Sequence, residues 1–160
     1  MGFFLLVVSA LLFFASCAAP PHLPEQGAAI AVWPMEDLSP SPAAKPGMGE
    51  LLADQVIDAL KQKGDYVVVE RKRLILALEE LRLGTASLAE ETTRLRLGKI
   101  IGARWMIFGG YLTAGDQIRL DLRLVEVETG KVRKAVQKTV FSRDMMDWIT
   151  AARKAAEELL

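Results

Sequence analysis

Fourteen residues near the start, Gly2–Ala15 (GFFLLVVSALLFFA), contain one polar member, Ser9. Beyond Glu25 the pattern changes to short apolar stretches separated by turn residues. Ala28–Trp33 (AAIAVW) is apolar without alternation and bounded by Gly27 and Pro34, which predicts a strand buried on both faces. Residues 34–47 hold five prolines or glycines with Ser39 and Ser41, which predicts a loop. Met48, Leu51, Leu52, Val56, Ala59 and Leu60 recur at helical spacing, predicting a helix over 48–61 that stops at Gly64. Tyr66–Val69 reads as a β-branched strand. Leu74, Leu78 and Leu81 line one side of a second helix over 71–83. Ser87 and Glu90 have capping-box spacing for a third, running to about Ile101.

Arg104–Leu112 is a third predicted strand. In 117–127, Ile118, Leu120, Leu122 and Leu124 alternate with Arg119, Asp121 and Arg123, the signature of a half-buried antiparallel strand. Glu128-Thr129-Gly130 turns into a fifth strand over 131–141, which alternates poorly and reads as a sheet edge guarded by lysines. Ser142 or Asp144 starts a last helix, striped by Met145, Ile149, Ala152, Ala156 and Leu159, with Trp148 just off the stripe. The order β-α-β-α-α-β-β-β-α predicts an α/β (α+β) domain over 28–160. About five strands form a mixed sheet packed with about four helices.

Charge sharpens the division. The 20 basic and 20 acidic residues balance, and none precedes Glu25. A neutral chain exerts no bulk attraction on nucleic acid. The apolar leader is shorter than the roughly 20 residues that span a bilayer and has the length of a signal-peptide core. Ala15 and Ser16 then precede Cys17, the only cysteine. This resembles a bacterial lipobox, with Phe14 where Leu is usual. The resemblance implies a signal peptide over 1–16 and a lipidated Cys17 that attaches the protein to membrane. Ala18, which is not Asp, implies the periplasmic face of the outer membrane. Residues 17–27 form a Pro-rich tether, and ten extended residues span roughly 30 Å.

Little points to chemistry. One Cys and one His exclude a disulfide framework and a Cys/His zinc site within the domain. His22 lies in the tether. Glu79/Glu80, Glu90/Glu91 and Glu157/Glu158 are helical neighbours that do not face one another. Gly47-Met48-Gly49 opens a helix as a phosphate loop does, but the preceding strand has already ended at Pro34 and the third glycine is absent. The expectation is a protein that is not an enzyme and carries no cofactor or metal. Two surfaces remain as partner sites: the basic strand, with Lys131, Arg133, Lys134 and Lys138, and the last helix, which either docks on its own sheet with Trp148 widening the buried face or meets a partner with Trp148 as anchor. The expected partners are envelope proteins or further copies of the chain.

Four segments then carry a resemblance: IAVWPMEDLS (30–39), VVVERKRLILALEELRLG (67–84), LGKIIGARWMIFGG (97–110) and LRLVEVETGKV (122–132). In this order they resemble the curli-secretion lipoprotein (CsgG-type) and TolB amino-terminal-domain group. The resemblance implies a periplasmic α/β domain that binds proteins and often oligomerises. Its members include the curli-secretion pore, flagellum-associated lipoproteins and lipoprotein activators of penicillin-binding proteins. It implies structural roles for Glu70-Arg71, Gly98, Gly102 and Gly130, and no catalytic residue. The pore-forming members insert long membrane hairpins, and the chain has no spare segment for them. The leading expectation is an assembly or adaptor lipoprotein for secretion, surface-appendage or peptidoglycan machinery. A subunit of an export ring is second and an envelope enzyme a distant third.

Overall fold

The computed structural model describes residues 27–40, 46–81 and 90–160. Within them lie strands β1 (Ala29–Val32), β2 (Glu36–Asp37), β3 (Val67–Val68), β4 (Trp105–Ala114), β5 (Gln117–Glu126) and β6 (Val132–Phe141). The helices are α1 (Met48–Lys63), α2 (Arg71–Glu80), α3 (Glu91–Ile100) and α4 (Met145–Leu159). The mixed α+β architecture is as expected, with one strand more. Cys17 and the expected signal peptide over 1–16 lie outside the described residues.

The sheet runs β3-β1-β4-β5-β6, and β2 lies beside β4 after β1. Strands β1, β2 and β3 join in parallel, and β4-β5-β6 form an antiparallel meander. The extra strand lies in the expected loop. Trp33 N–H donates to the Ile107 carbonyl and Leu38 N–H to that of Tyr111, so the chain keeps following β4 after Pro34. Two charged residues, Glu36 and Asp37, form this strand, and no apolar period announces it.

One face is closed by α1 and α4, which pack side by side. Its core joins Ile30, Val32, Trp105, Ile107, Leu120 and Leu124 to Leu52, Val56 and Leu60 of α1 and Ala152, Ala155 and Leu159 of α4. The alanines of α4 let its backbone approach closely. The buried stripe of α4 runs through Trp148, Ala151, Ala152, Ala155, Ala156 and Leu159, while Met145 and Met146 are exposed. This corrects the expected stripe by rotating it toward Trp148. Asp144 provides the cap, its carboxylate accepting from Met146 N–H at 2.8 Å.

The other face carries α2 and α3 over β1 and the start of β4, burying Ala31, Trp33, Leu74, Leu97, Met106 and Phe108. Helix α2 ends at Glu80, leaving Leu81 exposed rather than buried. Ser87, the expected cap of α3, lies outside the described residues. Glu90 is extended and occupies the cap position itself, so the helix starts later than the capping-box spacing predicts.

Two glycines explain themselves. A Cβ on Gly98 would lie 2.6 Å from Met106 Sδ and 3.2 Å from Val127, so α3 packs on the sheet at glycine distance, as expected. A Cβ on Gly49 would lie 2.1 Å from the Met35 carbonyl oxygen. The Gly-Met-Gly start of α1 is therefore a packing contact, reinforced by Met35 N–H donating to the Gly49 carbonyl at 3.1 Å.

Candidate functional site

The basic strand is confirmed as the last strand of the sheet, but its cations do not form one patch. A register shift between Leu124 and Val125 leaves Arg133 as the extra residue of a bulge. This irregularity is why the strand alternates poorly in sequence. Arg133 pairs with Glu126, which also accepts from the Thr129 hydroxyl at 2.6 Å. The Thr129 bond first, and then Arg133, holds the Glu126 carboxyl below its usual range. Lys138 is bound to Glu158 of α4. Lys134 stands opposite Leu124, and Lys131 is exposed at the turn. Two of the four expected cations are thus neutralised within the chain.

Trp148 is not an exposed anchor. It is 4% exposed, within the α1/α4 core, and its Nε1–H donates to the Ser142 carbonyl at 2.7 Å. A one-residue rotation of the helical stripe turns a rim position into a core position, and a sequence period resolves no finer than that.

A second surface was not foreseen. On the α2/α3 side, among the described residues, helices stop short of β6, and Ala135, Gln137, Thr139 and Phe141 are exposed. Between α3, β2 and this bare sheet lies a groove of about 440 Å³, lined by Glu36, Leu38, Arg94, Phe108, Asp121 and Arg123, among others. Arg94 is 9% exposed. Its guanidinium lies 5.6 Å from the Trp33 ring and 5.9 Å from the Phe108 ring, and it pairs with Glu36. Arg123 lies 5.5 Å from the same Phe108 ring and bonds Glu91 at 2.8 Å. Arg119 bonds Asp121 at 2.9 Å. Guanidinium groups suit this arrangement because they stack on rings and keep their forks free for carboxylates. The signal in sequence was the Arg119/Asp121/Arg123 alternation, which reads equally as a solvated face. A buried Arg94 has no signal in a single sequence.

Beside the groove, β2 is tied to β4 by polar bonds. Ser39 Oγ and Thr113 Oγ1 lie 3.0 Å apart, and Asp37 bonds Ser39 N–H at 2.9 Å. The bonds from Ser39 hold the Asp37 carboxyl below its ordinary value. Burial, then the bond to Asp37, pushes the Tyr111 phenol up to about 12. Both groups therefore keep one protonation state through neutral pH and act as structural ties.

The groove's carboxylates and cations face each other in pairs, so the geometry suits recognition of another surface. No group of three or more His, Cys, Asp or Glu able to hold a metal occurs among the described residues. None of their helices is long and apolar enough to cross a membrane.

Comparison with known proteins follows the same direction. The family model described as "Curli production assembly/transport component CsgG" matches residues 16–114. Among solved structures, the C-terminal domain of LpoB from Salmonella enterica is similar at 17% identity, with a TM-score of 0.63. The match covers 73% of this chain and 84% of that one. Lipoprotein GNA1162 from Neisseria meningitidis is similar at 17% identity and a TM-score of 0.56, covering 78% of this chain and 92% of that one. PelC from Paraburkholderia phytofirmans, a dodecamer, is similar at 16% identity and a TM-score of 0.53, covering 88% and 90%. At these identities the structures speak to fold. A sequence search of curated proteins finds no match.

Proposed function

The chain belongs to the CsgG family of curli production assembly/transport components, and from that membership and its geometry we propose a non-enzymatic adaptor lipoprotein of the cell envelope. In this reading a lipid on Cys17 holds the protein to the periplasmic face of the outer membrane. Residues 18–27 act as the tether, and the domain from residue 28 onward binds envelope proteins. The observation that carries the reading is family membership combined with a sheet whose outer strands, among the described residues, are left open on one face. A single acyl chain binds membrane only marginally, so stable anchoring rests on the several chains of a bacterial lipoprotein.

Metabolic labelling with a fatty acid tests the anchor. Label on the wild type that disappears in Cys17→Ala, together with loss from the outer-membrane fraction, is the expected result. An unlabelled wild type overturns it.

The second reading is a ring-forming export subunit, favoured by the fold likeness to the PelC dodecamer. Against a pore of its own stands the β4–β5 hairpin. Its ten consecutive pairs, Trp105↔Glu126 through Ala114↔Gln117, all lie within the domain sheet. Membrane strands need about 9–11 residues with an apolar outer face, and this hairpin buries its apolar residues in the domain's two cores, such as Ile107 and Leu120 under α1 and α4 and Met106 and Phe108 under α2 and α3. Light scattering of the lipidated protein in detergent separates the two: a monomer or dimer favours the adaptor, a large ring the export subunit.

A further inference from the structure

The edge of β6 supplies a more specific inference, which rests on the adaptor reading. Strand β6 has ten residues and, among the described residues, is paired on one side only, by β5. Its outer side offers a row of backbone donors and acceptors, the template on which a further strand can form. The opposite edge, β3, is protected by its length of two residues.

The side chains around β6 decide which strand fits. Residues 131–143 carry five cations and no acidic residue; Glu126 and Glu158 hold Arg133 and Lys138, which leaves Lys131, Lys134 and Arg143. A second β6 would bring the same surplus of cations, Lys131, Lys134 and Arg143, to the edge. Like charges opposite one another destabilise a pair, and opposite charges stabilise it. The same cations therefore reject a second β6 and favour an acidic strand, so that one feature both excludes and selects. At the two ends stand exposed apolar side chains, Val132 at 50% and Phe141 at 76% exposure. On the bare face an added strand would lie beside exposed Ala135, Gln137 and Thr139, next to the groove.

We propose that the outer edge of β6 takes up an extended acidic segment of a partner protein as an additional strand, with Lys134 and Arg143 reading its charge and Val132 and Phe141 holding apolar residues at its ends.

The test uses the full chain in detergent and labelled peptides long enough to span β6, alternating Glu with Val, Thr or Phe. Peptides alternating Lys with the same residues are controls. The expected result is binding of the acidic set alone, weakened by salt, with slower amide hydrogen exchange confined to 132–141. The double variant Lys134→Glu/Arg143→Glu should bind about tenfold or more weakly, while Lys72→Glu/Arg73→Glu on α2 should bind as the wild type does. Equal binding of acidic and basic peptides overturns the proposal. So does protection confined to the groove residues, failure of every acidic peptide to bind, or protection of β6 by a second copy of the chain in the absence of peptide. None of these results bears on acylation of Cys17, which the labelling experiment decides separately.

Discussion

The two faces of the sheet are built from the same strands and differ in how completely they are covered. Among the described residues, the α1/α4 face gathers 22 buried apolar residues against 11 on the α2/α3 face. Leu120, Leu122 and Leu124 on β5 are buried on the first side, while Asp121 and Arg123 line a groove on the second. Long, Ala-rich α4 reaches across β5 and β6, whereas α3 packs on β4 and touches β5 through the Glu91–Arg123 bond. Among the described residues, apolar burial therefore concentrates on one face, and the other leaves part of the sheet exposed. The contrast shows how a small domain can present a sheet surface without exposing its core.

The largest expected effect comes from the closed face. Trp148→Ala should cost about 3–5 kcal/mol, read from the denaturant midpoint of unfolding. A cost below about 1 kcal/mol would return Trp148 to the surface. Gly98→Ala tests how tightly the helices sit. Met106 and Val127 must give way, and a loss of about 1–3 kcal/mol is expected. The corresponding change on the open face, Gly110→Ala, meets mainly the exposed end of Leu38 and should cost less than about 1 kcal/mol. Similar losses at the two glycines would erase the contrast.

The Glu126 clamp is smaller still. Its carboxyl is lowered in the folded chain, so its contribution is complete above the usual carboxylate range and is lost as pH falls through the lowered value. Glu126→Gln should cost about 1 kcal/mol at neutral pH, and the difference from wild type should vanish in acid. A difference that persisted at low pH would show that charge is not what holds the bulge. Last, Phe141→Ser should change stability by no more than about 0.5 kcal/mol, because the side chain is already 76% exposed. A larger loss would mean that this end of the sheet is covered.

Much of the architecture was legible. The apolar run at 28–33, the stripe of α1 and the alternation of β5 are local patterns with one physical interpretation each, and the structure bears them out. Strand β2 was not legible, because backbone bonds to β4 create it from Glu36 and Asp37. The bulge at Arg133 was visible only as a defect in alternation. The candidate site divides in the same way. The basic composition of β6 and its place at the edge were readable, whereas the capture of Arg133 and Lys138 by Glu126 and Glu158 depends on which acidic residues fold back to them.

The sequence by itself determined the neutral charge balance, the order of the elements other than β2, the isolated Cys17 and the close packing at Gly98. These follow from composition, period and backbone sterics, which act locally. Only the tertiary structure decided that Trp148 belongs to the core, that Arg94 is buried between two rings, and that one face of β5 and β6 stays bare. Each depends on how far one helix reaches across a sheet. That distance is set by the summed packing of residues far apart in the chain, and no local pattern records it.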